Sequence, residues 1–176
     1  MSDLLPVQRD LAHLLFSLPE AAGYALAGGA ALVVQQIVDR DTRDLDAFIA
    51  ATPGPTPGTV EIDLAVASPL LETPTAIDGI PVLTPLDLAA RKVLAIVDRL
   101  EARDYTDRHA LAHLVGQRTC IDSALTMDAG LSVSAIAEAF KRIDRIGNDR
   151  YPERATDAAT TRRYFTTWAH ELLDDH

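Results

Sequence analysis

At Thr84-Pro85 the hydrophobic pattern changes period from two to 3.6, and that switch constrains the fold more than any other feature. Upstream, residues 24–27, 45–50, 60–67 and 80–83 read as short strands. A helical stripe over 4–18 (Leu11, Leu14, Leu15, Leu18) precedes them, and 30–38 is an alanine-rich helix without a breaker. The run Thr52-Pro53-Gly54-Pro55 is a loop, and the strands on either side of it are expected to pair. Downstream, Thr84 reads as an N-cap, Pro85 as the first helical residue and Asp87 as a first-turn acid. Leu86, Ala90, Val93, Leu94, Val97 and Leu100 predict the buried stripe of that helix. Further helices are expected over 104–115, 121–127, 133–146 and 157–173, with Gly147-Asn148 stopping the third. The fold class is therefore α+β: a small mixed sheet with an N-terminal helix over 1–83, then a helical region over 84–176.

Composition narrows the function classes. The chain of 176 residues is long enough for one domain with a real core, or a small domain with a helical appendage. A net charge of −10 argues against nucleic-acid binding by bulk electrostatics. The charge is uneven, however: Lys141, Arg142, Arg145, Arg150, Arg154, Arg162 and Arg163 outnumber Asp144, Asp149, Glu153 and Asp157 in one stretch. That stretch is either a local basic groove or a set of solvated helix faces paired to nearby acids, the second being the plainer reading. No segment reads as a signal peptide or a membrane span, and a single cysteine, Cys120, suits a reducing cytoplasm. Cys120 itself reads as a small buried hydrophobe.

The chemistry lies in one ordered run: Gly28-Gly29, then Arg40-x-Thr42-x-Asp44-x-Asp46-x-Phe48. A glycine turn brings the main chain close to phosphate and leaves amide N–H groups to point at its oxygens. Carboxylates at i and i+2 on a strand share one face, so Asp44 and Asp46 suit Mg²⁺, which takes oxygen ligands alongside substrate phosphates. Asp63, on the next strand, is the candidate third carboxylate. An isolated Asp-x-Asp is usually surface or capping. Gly28, Gly29, Arg40 and Thr42 at this spacing lift the pair above that reading and are the expected nucleotide-binding residues.

Lys92, aligned with Arg99 and Arg103 on one helical face, is placed to neutralise phosphate charge; the plain alternative is a solvated helix lysine. Asp104 and Asp107, three apart, share a face of the following helix, and either suits a base or an orienting group. Asp104 is equally well read as a first-turn acid or N-cap. His109 and His113 have the i, i+4 spacing of zinc ligands but lack the intervening glutamate and a third ligand. Tyr105, Tyr164, Phe165 and Trp168 read as packing.

These runs, with Tyr24-Ala-Leu-Ala-Gly-Gly-Ala-Ala-Leu32 and Thr84-Pro-Leu-Asp-Leu-Ala-Ala-Arg-Lys92 through Asp107, resemble the AbiEii/AbiGii-type nucleotidyltransferase toxins over about residues 20–115. The mycobacterial MenT toxins are the members they most resemble. The resemblance implies a DNA polymerase β-like nucleotidyltransferase core, with Asp44 and Asp46 binding Mg²⁺, Lys92 contacting the incoming nucleotide and Asp107 completing the catalytic set. It further implies transfer from an NTP, in some members onto the tRNA 3′ acceptor end, which stops translation, and a cognate antitoxin. Ala30 departs from the Ser or Thr that follows the glycines in many members. The gap between Asp46 and Asp63 is short for the family, and so is the chain.

Two other functions fit the same residues. One is transfer to a small molecule of aminoglycoside type or to a protein hydroxyl, which the acidic net charge favours for a cationic acceptor. The other is an inactive nucleotide-binding or regulatory module, for which the intact Asp44, Asp46, Lys92 and Asp107 would serve no chemical need.

Overall fold

The computed structural model describes residues 4–42, 45–49, 62–66, 70–152 and 157–174. The chain divides into two compact units, Met1–Thr84 and Pro85–His176.

The first unit is built on a five-stranded mixed sheet in the order β3-β2-β1-β5-β4. Its centre is β1 (Tyr24–Ala27), whose four residues are all buried, as a strand covered on both faces requires. Antiparallel to it runs β2 (Leu45–Ile49), which sets Ala27 opposite Asp46. On the far side of β2, β3 (Ile62–Val66) lies parallel, with Asp46 in register with Asp63. Pairing across the loop is thus present, but the strands run the same way; a parallel pair needs a crossover, not a tight hairpin. The segment that makes it lies outside the described residues.

β4 (Thr75–Ile77) is an element that strand propensity misses, being short and largely exposed. It forms a hairpin with β5 (Ile80–Val82) through Asp78-Gly79, whose φ values of 51° and 79° are those of a type I′ turn. An Asp-Gly pair before an apolar run is the local signal that would have revealed it.

Helix α2 (Gly28–Val34) begins at the end of β1 and stops four residues before the expected position. Gln36 turns left-handed (φ 58°), and the Ile37 and Gln36 N–H groups donate back to Leu32 and Val33. This is a Schellman ending with glutamine where glycine is usual. Helix α1 (Pro6–Ser17) corrects the expected stripe. Its buried residues are Gln8 and Ala12, while Leu14 is 60% exposed and Leu18 44% exposed. Gln8 faces inward because its carboxamide is bonded at both ends: Oε1 accepts the Leu5 N–H at 3.0 Å, and Nε2 donates to the Thr42 carbonyl at 2.9 Å.

The second unit is helical: α3 (Pro85–Asp98), α4 (Ala102–Ala110), α5 (Gln117–Met127), α6 (Val133–Lys141) and α7 (Ala158–Asp174). Its aromatic core joins Tyr105, Phe140, Phe165 and Trp168, all buried, and the Tyr105 hydroxyl donates to the Ala139 carbonyl at 2.8 Å. The buried face of α3 differs from the expected one. Leu88, Ala89, Ala90, Val93 and Ile96 are inside together with Asp87 and Lys92, whereas Leu86, Leu94, Val97 and Leu100 are only half-buried. Periodicity admits either face, and the charged partners on α4 decide for the one that carries Lys92. Among the described residues no helix is long and apolar enough to cross a membrane.

Candidate active site

In the first unit β1 delivers the chain to Gly28, which adopts φ 58°, a conformation that a side chain resists. A Cβ there would collide with Oδ2 of Asp46 and stand 2.6 Å from its Cγ. The antiparallel register causes this closeness, because Asp46 lies opposite the residue just before the turn. A Cβ on Gly29 would lie 2.9 Å from Nη2 of Arg40 and 3.1 Å from Oγ1 of Thr42. Five residues named from the sequence therefore converge: Gly28, Gly29, Arg40, Thr42 and Asp46. Gln8 holds this strap from behind through the Thr42 carbonyl. Local reasoning missed Gln8, since a glutamine at a helix start carries no motif.

The remaining metal-ligand candidates are less fully placed. Asp44 lies outside the described residues. The backbone of Asp63 is paired in register with Asp46, and its side chain lies outside what is described. Among the described residues no three His, Cys, Asp or Glu side chains cluster as a metal site. The fit for Mg²⁺ rests on the oxygen chemistry of Asp46, on the glycine surface against it and on the Asp63 register.

In the second unit Lys92 is no solvated lysine. Its side chain is 9% exposed, and Nζ lies 2.7 Å from Oδ2 of Asp107 and 3.0 Å from Oδ1 of Asp104. The two carboxylates are fully buried, Asp104 at 0% and Asp107 at 1% side-chain exposure. Arg99 adds a fork onto Asp104, Nε to Oδ2 at 2.8 Å and Nη2 to Oδ1 at 3.2 Å. Lys92 and Arg99 thus both serve the buried carboxylates, the pairing that burial of charge demands.

Burial pushes the Asp104 carboxyl up, but Lys92 and the Arg99 fork outweigh it and hold it below the ordinary carboxylate range. Asp104 is not the N-cap, a position taken by Glu101. Both of the Asp104 oxygens are bound to cations, Oδ1 to Lys92 and Arg99 and Oδ2 to Arg99. Arg99 and Arg103 do not continue the Lys92 face, since α3 ends at Asp98; Arg99 reaches the cluster through Asp104 instead.

The family model described as nucleotidyl transferase AbiEii toxin, type IV toxin–antitoxin system, matches residues 47–174. The chain belongs to this family. As an AbiEii-family protein it is a nucleotidyltransferase toxin of a type IV toxin–antitoxin system, a class that implies an antitoxin. The match includes Asp63, Lys92, Asp104 and Asp107 and begins directly after Asp46, so the glycine turn and Asp46 stand on the geometry above. It also runs through α7, well beyond the residues that carried the resemblance. No match was found among curated proteins or among solved structures.

Two other features of this AbiEii-family chain resolve as structural. The α-helix ends at Ala110, so His113 falls in a 3-10 turn (Leu111–His113) and is exposed, which breaks the zinc spacing. His109 stacks on Tyr164 at 4.5 Å and its Nδ1 lies 3.1 Å from the Thr161 hydroxyl. Burial first, then the neighbouring Arg108, lowers its basicity. Cys120 is buried and in no disulfide, with its thiol pushed up by burial.

Proposed function

We propose that this toxin transfers a nucleotidyl group from an NTP, with Mg²⁺, to a hydroxyl of RNA, the 3′ acceptor end of tRNA. The observation that carries this reading is the convergence of Arg40, Thr42 and Asp46 on Gly28-Gly29. A cation, a hydroxyl donor and a carboxylate meet there on backbone bare of side chains. Such a surface suits a triphosphate with its divalent cation.

The acceptor oxygen attacks the α-phosphorus in line, a P–O bond forms, and the bond to the β-phosphate breaks to release pyrophosphate. Bound Mg²⁺ supplies neutralisation of phosphate charge, and Asp44, Asp46 and Asp63 would hold it. Arg40 and Thr42 bind triphosphate oxygens beside the glycine turn. Lys92 offers its ammonium to charge that develops during transfer, held in position by Asp104. Asp107, whose Oδ2 lies 2.7 Å from the Lys92 ammonium, completes the set and takes the acceptor proton.

Purified protein with Mg²⁺, each labelled NTP in turn and total tRNA tests this, beside Asp46→Ala. Label on tRNA that vanishes in the variant is the expected result. Transfer at near wild-type rate in Asp46→Ala would sink the assignment. The net charge of −10 favours a cationic small acceptor instead, and label on an aminoglycoside with none on tRNA would establish it.

A further inference from the structure

The second unit carries a cleft of about 370 Å³ between α3, α6 and the 3-10 turn Arg142–Arg145. Its apolar surface is Val97, Ala135 and Ala139, and its polar surface is Lys141, Arg142, Arg145 and Glu138. Three cations against one carboxylate is an unusual local balance on a chain of net charge −10.

These cations are not equivalent. Arg142 builds the wall: its Nη2 donates to the last carbonyls of α3, Ile96 and Val97, at 2.6 Å each. Its Nε is buried with no partner among the described residues. Lys141 is held by Glu138 at 2.8 Å, which cancels much of that carboxylate. Arg145 is exposed and, among the described residues, makes no ion pair or hydrogen bond. The cleft therefore presents an uncompensated guanidinium and a partly shared ammonium beside an apolar patch. Elsewhere in the same basic stretch Arg150 is paired with Glu101, whereas Arg162 donates only to the neutral Asn148 amide oxygen and the Ile146 carbonyl.

We propose that this cleft binds one nucleotide unit of an RNA strand, its phosphate on Arg145 and Lys141 and its sugar or base against Val97, Ala135 and Ala139. Its volume fits a small-ligand site, and a guanidinium suits phosphate geometry. This deepens the RNA-acceptor reading and rests on it. A free nucleotide offers the same phosphate chemistry, so the experiment separates the two.

Binding of the full chain to fluorescent tRNA across a salt series is compared for wild type, Arg145→Glu and Arg163→Glu. Arg163 is exposed and lies outside the cleft, so it matches the charge change alone. Arg145→Glu is expected to weaken tRNA binding about tenfold and lower the salt slope by about one, with Mg-NTP affinity unchanged. An equal loss in Arg163→Glu would reduce the effect to bulk charge and overturn the site. Lost NTP affinity with tRNA binding kept would assign the phosphate to a free nucleotide and overturn it as well. If wild type binds tRNA through Arg145 yet labels another acceptor, the cleft stands and the acceptor assignment falls.

Discussion

The carboxylate of Asp46 occupies the space in which a side chain on Gly28 would begin. The contact links the turn after the central strand to the strand beside it, and it makes the glycine a requirement of two kinds. Gly28 must reach φ 58°, and it must leave room for Asp46.

Gly28→Ala should therefore displace Asp46 and abolish nucleotidyl transfer, with backbone strain of about 1–2 kcal/mol in addition. Gly79→Ala separates the two effects. Gly79 has φ 79° but nothing within 4 Å of a Cβ, so strain appears without loss of transfer. Denaturant unfolding and transfer rate, measured on both variants, check this; equal activity losses would refute the steric account.

Removing the Lys92 ammonium leaves two buried carboxylates with fewer cations. Lys92→Met should destabilise the fold by about 3–5 kcal/mol as well as ending transfer. Lys92→Met with Asp107→Asn should regain part of the stability and none of the activity. Urea unfolding at neutral pH reads the first effect, and a labelled-NTP assay reads the second.

The Asp104 carboxyl titrates lower in the folded chain than in the unfolded one. Its contribution to stability is present above the unfolded value of about 3.9 and is lost as pH falls through the lower folded value. Arg99→Ala removes the fork, so the folded value should rise toward the ordinary one. The stability gap between wild type and Arg99→Ala should then be widest near neutral pH and close at acid pH. Melting temperatures from pH 2.5 to 7 would show it, and a gap that widens on acidification would contradict it.

Gln8→Leu keeps the volume of a buried side chain but strips the Leu5 N–H and the Thr42 carbonyl of their partner. The expected cost is about 1–3 kcal/mol. Because Thr42 then loses its anchor, KM for the NTP should rise more than kcat falls. An unchanged KM would mean that Gln8 serves α1 alone.

His109 is kept neutral in the fold, chiefly by burial and then by Arg108. Below about pH 6.5 the unfolded chain takes up a proton that the folded chain resists, so stability should fall there as pH drops. His109→Gln should flatten that part of the stability curve. A thermal-melt series from pH 5 to 7.5 on both proteins tests it.

Strands β1, β2 and β5 were legible because alternation and glycine or proline boundaries are local. So was the helical half, where a capped start and 3.6 periodicity recur. The β4–β5 hairpin was written in Asp78-Gly79 and overlooked, since its strands are three residues each. On α1 and α3 the periodicity was real but only partly on the buried face: Ala90 and Val93 are inside, whereas Leu86, Leu94, Val97, Leu100, Leu11 and Leu15 are half-buried and Leu14 is exposed. An apolar stripe states which positions can share a surface, and the neighbouring element decides whether that surface is covered.

The candidate site divides along the same line. Sequence alone determined which residue types stand at the glycine turn and at the carboxylate positions after it, because spacing along a strand or turn sets which side chains can act together. Tertiary structure decided that β3 lies parallel to β2, that Asp46 presses on Gly28, and that Lys92 is buried between Asp104 and Asp107. It also decided that Gln8, 34 residues from Thr42, holds the loop. Each depends on a charge or a hydrogen-bonding group finding its partner on another element. Which partner is within reach follows from how the elements pack, and no local pattern encodes that.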